Sequence, residues 1–297
     1  MITFRSFGKS YGDHPAAREI DLAVEAGEVV ALLGPNGSGK TTCLKAAAGL
    51  ILPTSGEVLV DGRPASHPEA RRSLSFLPQK VSFPDALTGR EVVEFYRRLR
   101  GVPSGRSAEV LSFASLNGAA ARAVGTYSGG MVQRLGLAVA ALPDPPTLLL
   151  DEPTAALDPE GLCAFYALAE RRRGEGKTVL FTSHHLGDVE RLADRFAVLV
   201  GGRLVALLSS AELAARLAEK GVLRLRLDRR PEGLLESLRP LAPAATWSGD
   251  ELVLPSPAAL RPALVDAVRA AGAVVTSLTA DEGRLDALYT ELVGGPS

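Results

Sequence analysis

Apolar positions along the chain fall into short runs whose spacing changes with position. "EVVALLG" (28–34), "TLLLDEP" (147–153) and "KTVLFTSHH" (177–185) each carry an unbroken aliphatic and β-branched run closed by glycine or polar residues. Such runs predict strands of a parallel sheet covered by helices on both faces. "SGEVLVDG" (55–62) predicts a strand between turns, and "RFAVLVGGRLVAL" (195–207) a hairpin around Gly201–Gly202. "KTTCLKAAAGLI" (40–51) predicts a helix that starts directly after a glycine-rich loop.

Between about Gln79 and Leu142 the period lengthens. In "LTGREVVEFYRRLRGV" the apolar residues Val92, Val93, Phe95, Tyr96 and Leu99 recur at near-helical spacing, and "GGMVQRLGLAVAALP" predicts another helix. A helical subdomain over about 79–142 is therefore expected between strands. Beyond Lys220 a second unit begins. "VLRLRLD" alternates as a strand, "PEGLLESLRPL" predicts a helix and "ATWSGDELVL" two strands with a tight turn. "PAALRPALVDAVRAAG" predicts a long helix, "AVVTSLTA" a strand and "RLDALYTELV" a last helix. The order β-α-β-β-α-β-α predicts a small α+β, ferredoxin-like domain. The expected division is 1–220 and 221–297.

A length of 297 residues fits about two such domains. The net charge of −1 gives no electrostatic pull toward nucleic acid or an anionic membrane. The two cysteines, Cys43 and Cys163, lack metal-binding spacing and fit a reduced compartment. The start "MITFRSFGKSYGDH" lacks the apolar core of a signal peptide, and no apolar run reaches the roughly 18 residues of a membrane span. A cytosolic chain is expected, with any membrane role exercised through a partner.

The chemistry concentrates in two stretches. "GPNGSGKTT" (34–42) matches G-x-x-x-x-G-K-[ST] between a buried strand and a helix. Gly34, Asn36, Gly37, Ser38 and Gly39 would turn backbone N–H groups onto a phosphate at a helix start. Lys40 would reach the β- and γ-phosphates; Thr41 would ligate Mg²⁺, with Thr42 beside it. In "LLLDEP", Asp151 is the candidate Mg²⁺ carboxylate and Glu152 the candidate general base. Together they predict a site for ATP or GTP.

With further stretches the chain resembles the nucleotide-binding subunit of an ATP-binding-cassette (ABC) transporter over roughly residues 1–220. "SYGDH" puts Tyr11 where the family stacks an aromatic ring on adenine; the other reading of Tyr11 is a core aromatic. "FLPQK" puts Gln79 in the Q-loop, as a sensor of Mg²⁺ and attacking water. "TYSGGMVQR" (126–134) is the signature, with Met131 in place of the glutamine common in the family. "AALDPEG" puts Asp158 in the D-loop, where it also suits a helix cap. "FTSHHL" gives His184 as the switch histidine and His185 as a helix-start residue. The resemblance implies an α/β P-loop cassette, with a mixed sheet core and a helical subdomain, that hydrolyses ATP with Mg²⁺. It implies a head-to-tail homodimer in which Ser128, Gly129 and Gly130 hold the γ-phosphate of ATP bound to the other copy. It also implies an integral membrane permease, placing the chain in the cytoplasm on the inner face of the membrane.

More narrowly, "FLPQKVSFPDALTGREVVEFYRRLRG" is similar to the ATPase subunit of nitrous-oxide reductase maturation. That system implies copper-site assembly with a membrane subunit and a periplasmic accessory protein. The signature and the C-terminal "LDALY" are equally similar to drug, antibiotic and lantibiotic exporter ATPases. A soluble ABC protein acting on ribosomes or nucleic acid is the alternative of another class. Such relatives usually carry two cassettes or a coiled-coil insertion, and this chain shows neither.

Overall fold

The computed structural model describes residues 1–183, 186–219, 221–281 and 290–291. It divides into two units, Met1–Leu208 and Ser209–Ser297. The helix Ser210–Glu219 therefore belongs with the second unit, whereas the sequence pattern drew the line at residue 220.

The first unit opens with β1 (Ile2–Tyr11) and β2 (His14–Val24), followed by β3 (Val29–Leu33), α1 (Lys40–Ala47), β4 (Ser55–Val60) and the short β5 (Arg63–Pro64). Next come α2 (Pro68–Arg72), β6 (Leu74–Leu77) and three helices, α3 (Gly89–Arg100), α4 (Gly105–Phe113) and α5 (Gly129–Ala141). The unit continues through β7 (Thr147–Leu150), α6 (Pro159–Gly174), β8 (Thr178–Thr182), α7 (Leu186–Leu192), β9 (Arg195–Val200) and β10 (Arg203–Ser209).

Two sheets result. One is antiparallel in the order β2-β1-β4-β5; the other has the order β10-β9-β3-β8-β7-β6, with β6 to β9 and β3 running parallel. Burial on both faces explains the unbroken apolar runs. Val30, Leu32, Leu149 and Leu180 join the core shared with α1 and the antiparallel sheet. Phe181 points to the other face, edge-on to Phe165 of α6 at 5.9 Å.

The helix expected over 40–51 ends at Ala47. Gly49 takes φ +67°, and a Cβ there would lie 2.2 Å from the Ala65 carbonyl oxygen, so the chain turns away instead of continuing. The helical subdomain has its own core of Val92, Val93, Val110, Leu111, Leu116 and Leu135. Each fully buried leucine of this kind contributes about 1.5–3 kcal/mol. Its helix α3 starts at a reciprocal cap in which the Thr88 side chain accepts from the Glu91 N–H and Glu91 accepts from the Thr88 N–H.

The second unit consists of α8 (Ser210–Glu219), β11 (Val222–Leu227), α9 (Leu234–Leu238), β12 (Thr246–Ser248), β13 (Glu251–Pro255), α10 (Arg261–Ala270) and β14 (Val275–Asp281). Its sheet is antiparallel in the order β12-β13-β11-β14, the strand order of a β-α-β-β-α-β fold. The register puts Leu223 opposite Leu254 and Leu225 opposite Leu252, all buried against Leu234, Leu238, Leu264 and Val268. The long helix expected from Pro257 is split, with a 3₁₀ turn at Ala258–Leu260 before α10. Pro262 in the first turn of α10 lacks the N–H that would join the two. Of the last expected helix only Thr290 and Glu291 are described, and both are helical.

Candidate nucleotide site

The loop between β3 and α1 folds as its glycines require. Gly39 takes φ +100°, and a Cβ there would come within 2.4 Å of the Ala16 carbonyl oxygen, so no larger residue fits. Ser38 is buried, and among the described residues its hydroxyl has no hydrogen-bond partner. Lys40 is buried too, its ammonium donating to the carbonyls of Gly34 (2.7 Å) and Pro35 (3.1 Å). Burial lowers the Lys40 pKa, against the opposing charges of Glu152 and Asp151. A buried cation beside an unpaired hydroxyl and a helix start fits a phosphate.

Asp151 follows β7 and is 1% exposed. Its Oδ1 accepts from the Thr41 hydroxyl (3.1 Å) and the Thr182 hydroxyl (2.8 Å). Glu152 has φ +46°, a left-handed conformation worth about 1–3 kcal/mol of strain outside glycine. Its N–H donates to Thr182 Oγ1 at 2.7 Å, and its Oε2 accepts from Gln79 Nε2 at 2.8 Å. Carboxylate oxygens, a hydroxyl and an amide form the hard donor set that suits Mg²⁺.

Ala16, the loop residues Asn36 to Thr42, Gln79 and Glu152 line one open cleft of about 390 Å³; Asp151 is outside that lining and is joined to it through Thr41. Two other expectations fall outside that lining, and a third is not described. Tyr11 lies outside the cleft lining; it is 49% exposed at the β1–β2 hairpin, with the Lys9 ammonium 5.3 Å from its ring, so it is not a core aromatic. His184 lies outside the described residues, as does His185. Ser128, Gly129 and Gly130 are not part of this cleft. Ser128 caps α5, its Oγ accepting from the Met131 N–H at 3.2 Å.

Asp158 caps α6 by accepting from the Gly161 N–H (2.9 Å). It also receives Arg134 of α5 at 3.1 Å. Arg134 is almost wholly buried and also reaches Glu160 and the carbonyls of Ala114 and Ser115. It ties the Ser128 helix to the Asp158 turn within one chain. Neither Arg134 nor Thr182 was singled out from the sequence. Arg134 ends the quoted signature, but its partners lie 24 and 26 residues away.

A second groove, of about 380 Å³, follows the Gln79 loop into the helical subdomain. Phe76, Pro78, Val81, Phe83, Tyr96 and Leu99 line it. Leu99 in that lining and Phe95 beside it, both on α3, are 66% and 58% exposed.

Phosphate loops serve many nucleotide hydrolases. The helical subdomain carried between the Gln79 loop and the Asp151 strand, its Ser128 helix start held against the Asp158 turn, narrows the class to ABC-type ATPases. The chain belongs to the ABC transporter family, whose model matches residues 17–155. It is 35% identical to the uncharacterized ABC transporter ATP-binding protein YxlF of Bacillus subtilis, over 99% of either chain. It is 32% identical to the daunorubicin resistance ATP-binding protein DrrA3 of Streptomyces coeruleorubidus, over 99% of this chain and 96% of that one. Among solved structures, a dimeric ATP-binding cassette in a post-hydrolysis state, bound to ADP and Pi, superposes with a TM-score of 0.64. Its sequence identity is 29%, and the match covers 71% of this chain and 99% of that one. The protein is an ABC-type ATPase, the ATP-binding subunit of an ABC transporter.

Proposed function

We propose that this subunit drives export of a drug-like or antibiotic-like molecule through a separate membrane permease. The observation that carries the reading is the likeness to a resistance ATPase along nearly the whole of both chains, second unit included. The nitrous-oxide and copper reading rests on the likeness of the Gln79 region, with a signature and C-terminal ending that exporter ATPases share, and the relatives favour the exporter. Among the described residues no helix is long and apolar enough to cross a membrane. The groove beside Gln79, lined in part by Leu99 and with Phe95 next to it, is the surface offered to the permease, which would hold the chain at the membrane's inner face.

In this reading the loop Gly34–Thr42 cradles the phosphates of ATP, Lys40 neutralises them and Tyr11 stacks on the base. Thr41, Asp151 and Gln79 would hold Mg²⁺, which when bound neutralises charge developing on the phosphates. Glu152 takes the proton of the attacking water, and Gln79, bonded to it, orients that carboxylate. Ser128, Gly129 and Gly130, set away from their own chain's cleft, complete the site of a second copy, as the likeness to a dimeric cassette supports. Met131 contributes its backbone N–H to the Ser128 cap, so an apolar side chain there leaves the cradle intact. His184 would contact the γ-phosphate, and Asp158 would hold the turn between the two sites.

Mixing two defective chains tests the composite site. A Ser128→Arg chain with a Lys40→Ala chain places both lesions in one site and leaves the other whole. ATPase activity should return on mixing although each chain alone is inactive. A mixture that forms dimers and stays inactive refutes the shared site.

A further inference from the structure

The hydroxyl of Thr182 stands between the ends of the phosphate-loop strand and the carboxylate strand. β8 runs between β3 and β7, so its last residue reaches both neighbouring strand ends. Thr182 is fully buried. Its Oγ1 accepts the Glu152 N–H at 2.7 Å and donates to Asp151 Oδ1 at 2.8 Å. A hydroxyl carries one proton, so accepting from Glu152 leaves that proton for Asp151 alone. The same Oδ1 receives Thr41 Oγ1 at 3.1 Å, which pins the carboxylate from two sides. At Glu152 the backbone is left-handed, a conformation that a residue with a Cβ keeps only where its surroundings hold it.

We propose that Thr182 is a positioning residue of the hydrolytic site: one hydroxyl sets the orientation of Asp151 and the peptide that aims Glu152 at Gln79. The inference rests on the roles given above to Asp151 and Glu152. Thr182 acts through those two carboxylates, as an outer-shell group does at a metal centre.

Four variants of the full chain test it: Thr182→Val, Thr182→Ala, Thr182→Ser and Glu152→Gln. Phosphate release is measured against ATP and against Mg²⁺, nucleotide binding with a fluorescent ATP analogue, and folding by thermal denaturation. Both hydroxyl-free variants should lose about 10–100-fold in kcat or require that much more Mg²⁺. Their KM for ATP should stay within about threefold of wild type, because the phosphate loop is untouched. Thr182→Ser should restore most of the activity; a general loss of packing would not be rescued in this way. The alanine variant decides the matter if valine prevents folding, since it adds no methyl against Asp151. Wild-type kcat and Mg²⁺ dependence in the folded hydroxyl-free chains, or a serine variant as impaired as alanine, overturns the inference. Turnover retained by Glu152→Gln sinks the site reading itself. An inactive Glu152→Gln beside a fully active Thr182→Ala sinks the Thr182 role alone.

Discussion

Replacing Arg134 by methionine removes a buried cation while leaving much of its volume filled. The wild-type guanidinium meets Asp158 at 3.1 Å and Glu160 at 3.0 Å, and donates to the Ala114 and Ser115 carbonyls at 3.2 Å each. Its side chain is 6% exposed, but those of Asp158 and Glu160 are 39% and 61% exposed. A hydrogen bond to a charged group contributes about 1.5–3 kcal/mol, and water reaching both carboxylates trims the ionic part. The Arg134–Asp158 coupling should therefore be about 1–2 kcal/mol, between exposed and fully buried pairs. Asp158→Ala also removes the α6 cap, another loss of about 1 kcal/mol. The double variant should then be less destabilised than the sum of the two single ones by that coupling of about 1–2 kcal/mol. The cycle is measured by urea unfolding followed by far-UV circular dichroism. Fluorescence is unsuitable because the single tryptophan, Trp247, lies in the second unit. Additivity within about 0.5 kcal/mol would refute the link between the Ser128 helix and the Asp158 turn.

Cysteine chemistry and acid sensitivity give two further checks. Burial pushes the Cys43 thiol up to about 12, whereas Cys163 is exposed. One equivalent of an aromatic disulfide reagent should react with the native chain at neutral pH, and the second only in denaturant; two fast equivalents would show that α1 is open. On α3, Glu94 is held at about 2, chiefly by the Arg97 guanidinium, with help from Arg98 and Ser107 of α4. A carboxylate with a depressed folded pKa stabilises fully above its ordinary value near 4.5 and loses that contribution as pH falls toward 2. Thermal denaturation should therefore decline less steeply between those pH values in Glu94→Gln than in wild type. Parallel curves would remove Glu94 from the α3–α4 contact.

Much of the site was legible because its chemistry is local. The loop Gly34–Thr42 needs its glycines and Lys-Thr in one short stretch, and Asp151–Glu152 needs only the end of one strand. Caps are local too, which is why Ser128 and Asp158 could be placed at helix starts. Periodicity also revealed much of the second unit's strand and helix order, since β11 and β13 alternate against a helical layer. It was less reliable at helix ends. The close approach of Gly49 to Ala65 and the split before α10 depend on neighbours or on one missing N–H, not on apolar spacing.

The sequence by itself thus determined the class of chemistry, the phosphate loop with its paired carboxylates, and the alternation of buried strands and helices, because those properties reside in runs of about ten residues. Only the tertiary structure decided which groups hold them in place. It also put Tyr11 half-exposed at the hairpin and Ser128, Gly129 and Gly130 outside the lining of their own chain's cleft. Thr182 meets Asp151, 31 residues earlier, only because β8 inserts between β3 and β7, and Arg134 meets Asp158 only because α5 folds back onto the start of α6. Hydrogen bonds act over about 3 Å in space whatever the separation along the chain, and no local pattern records them.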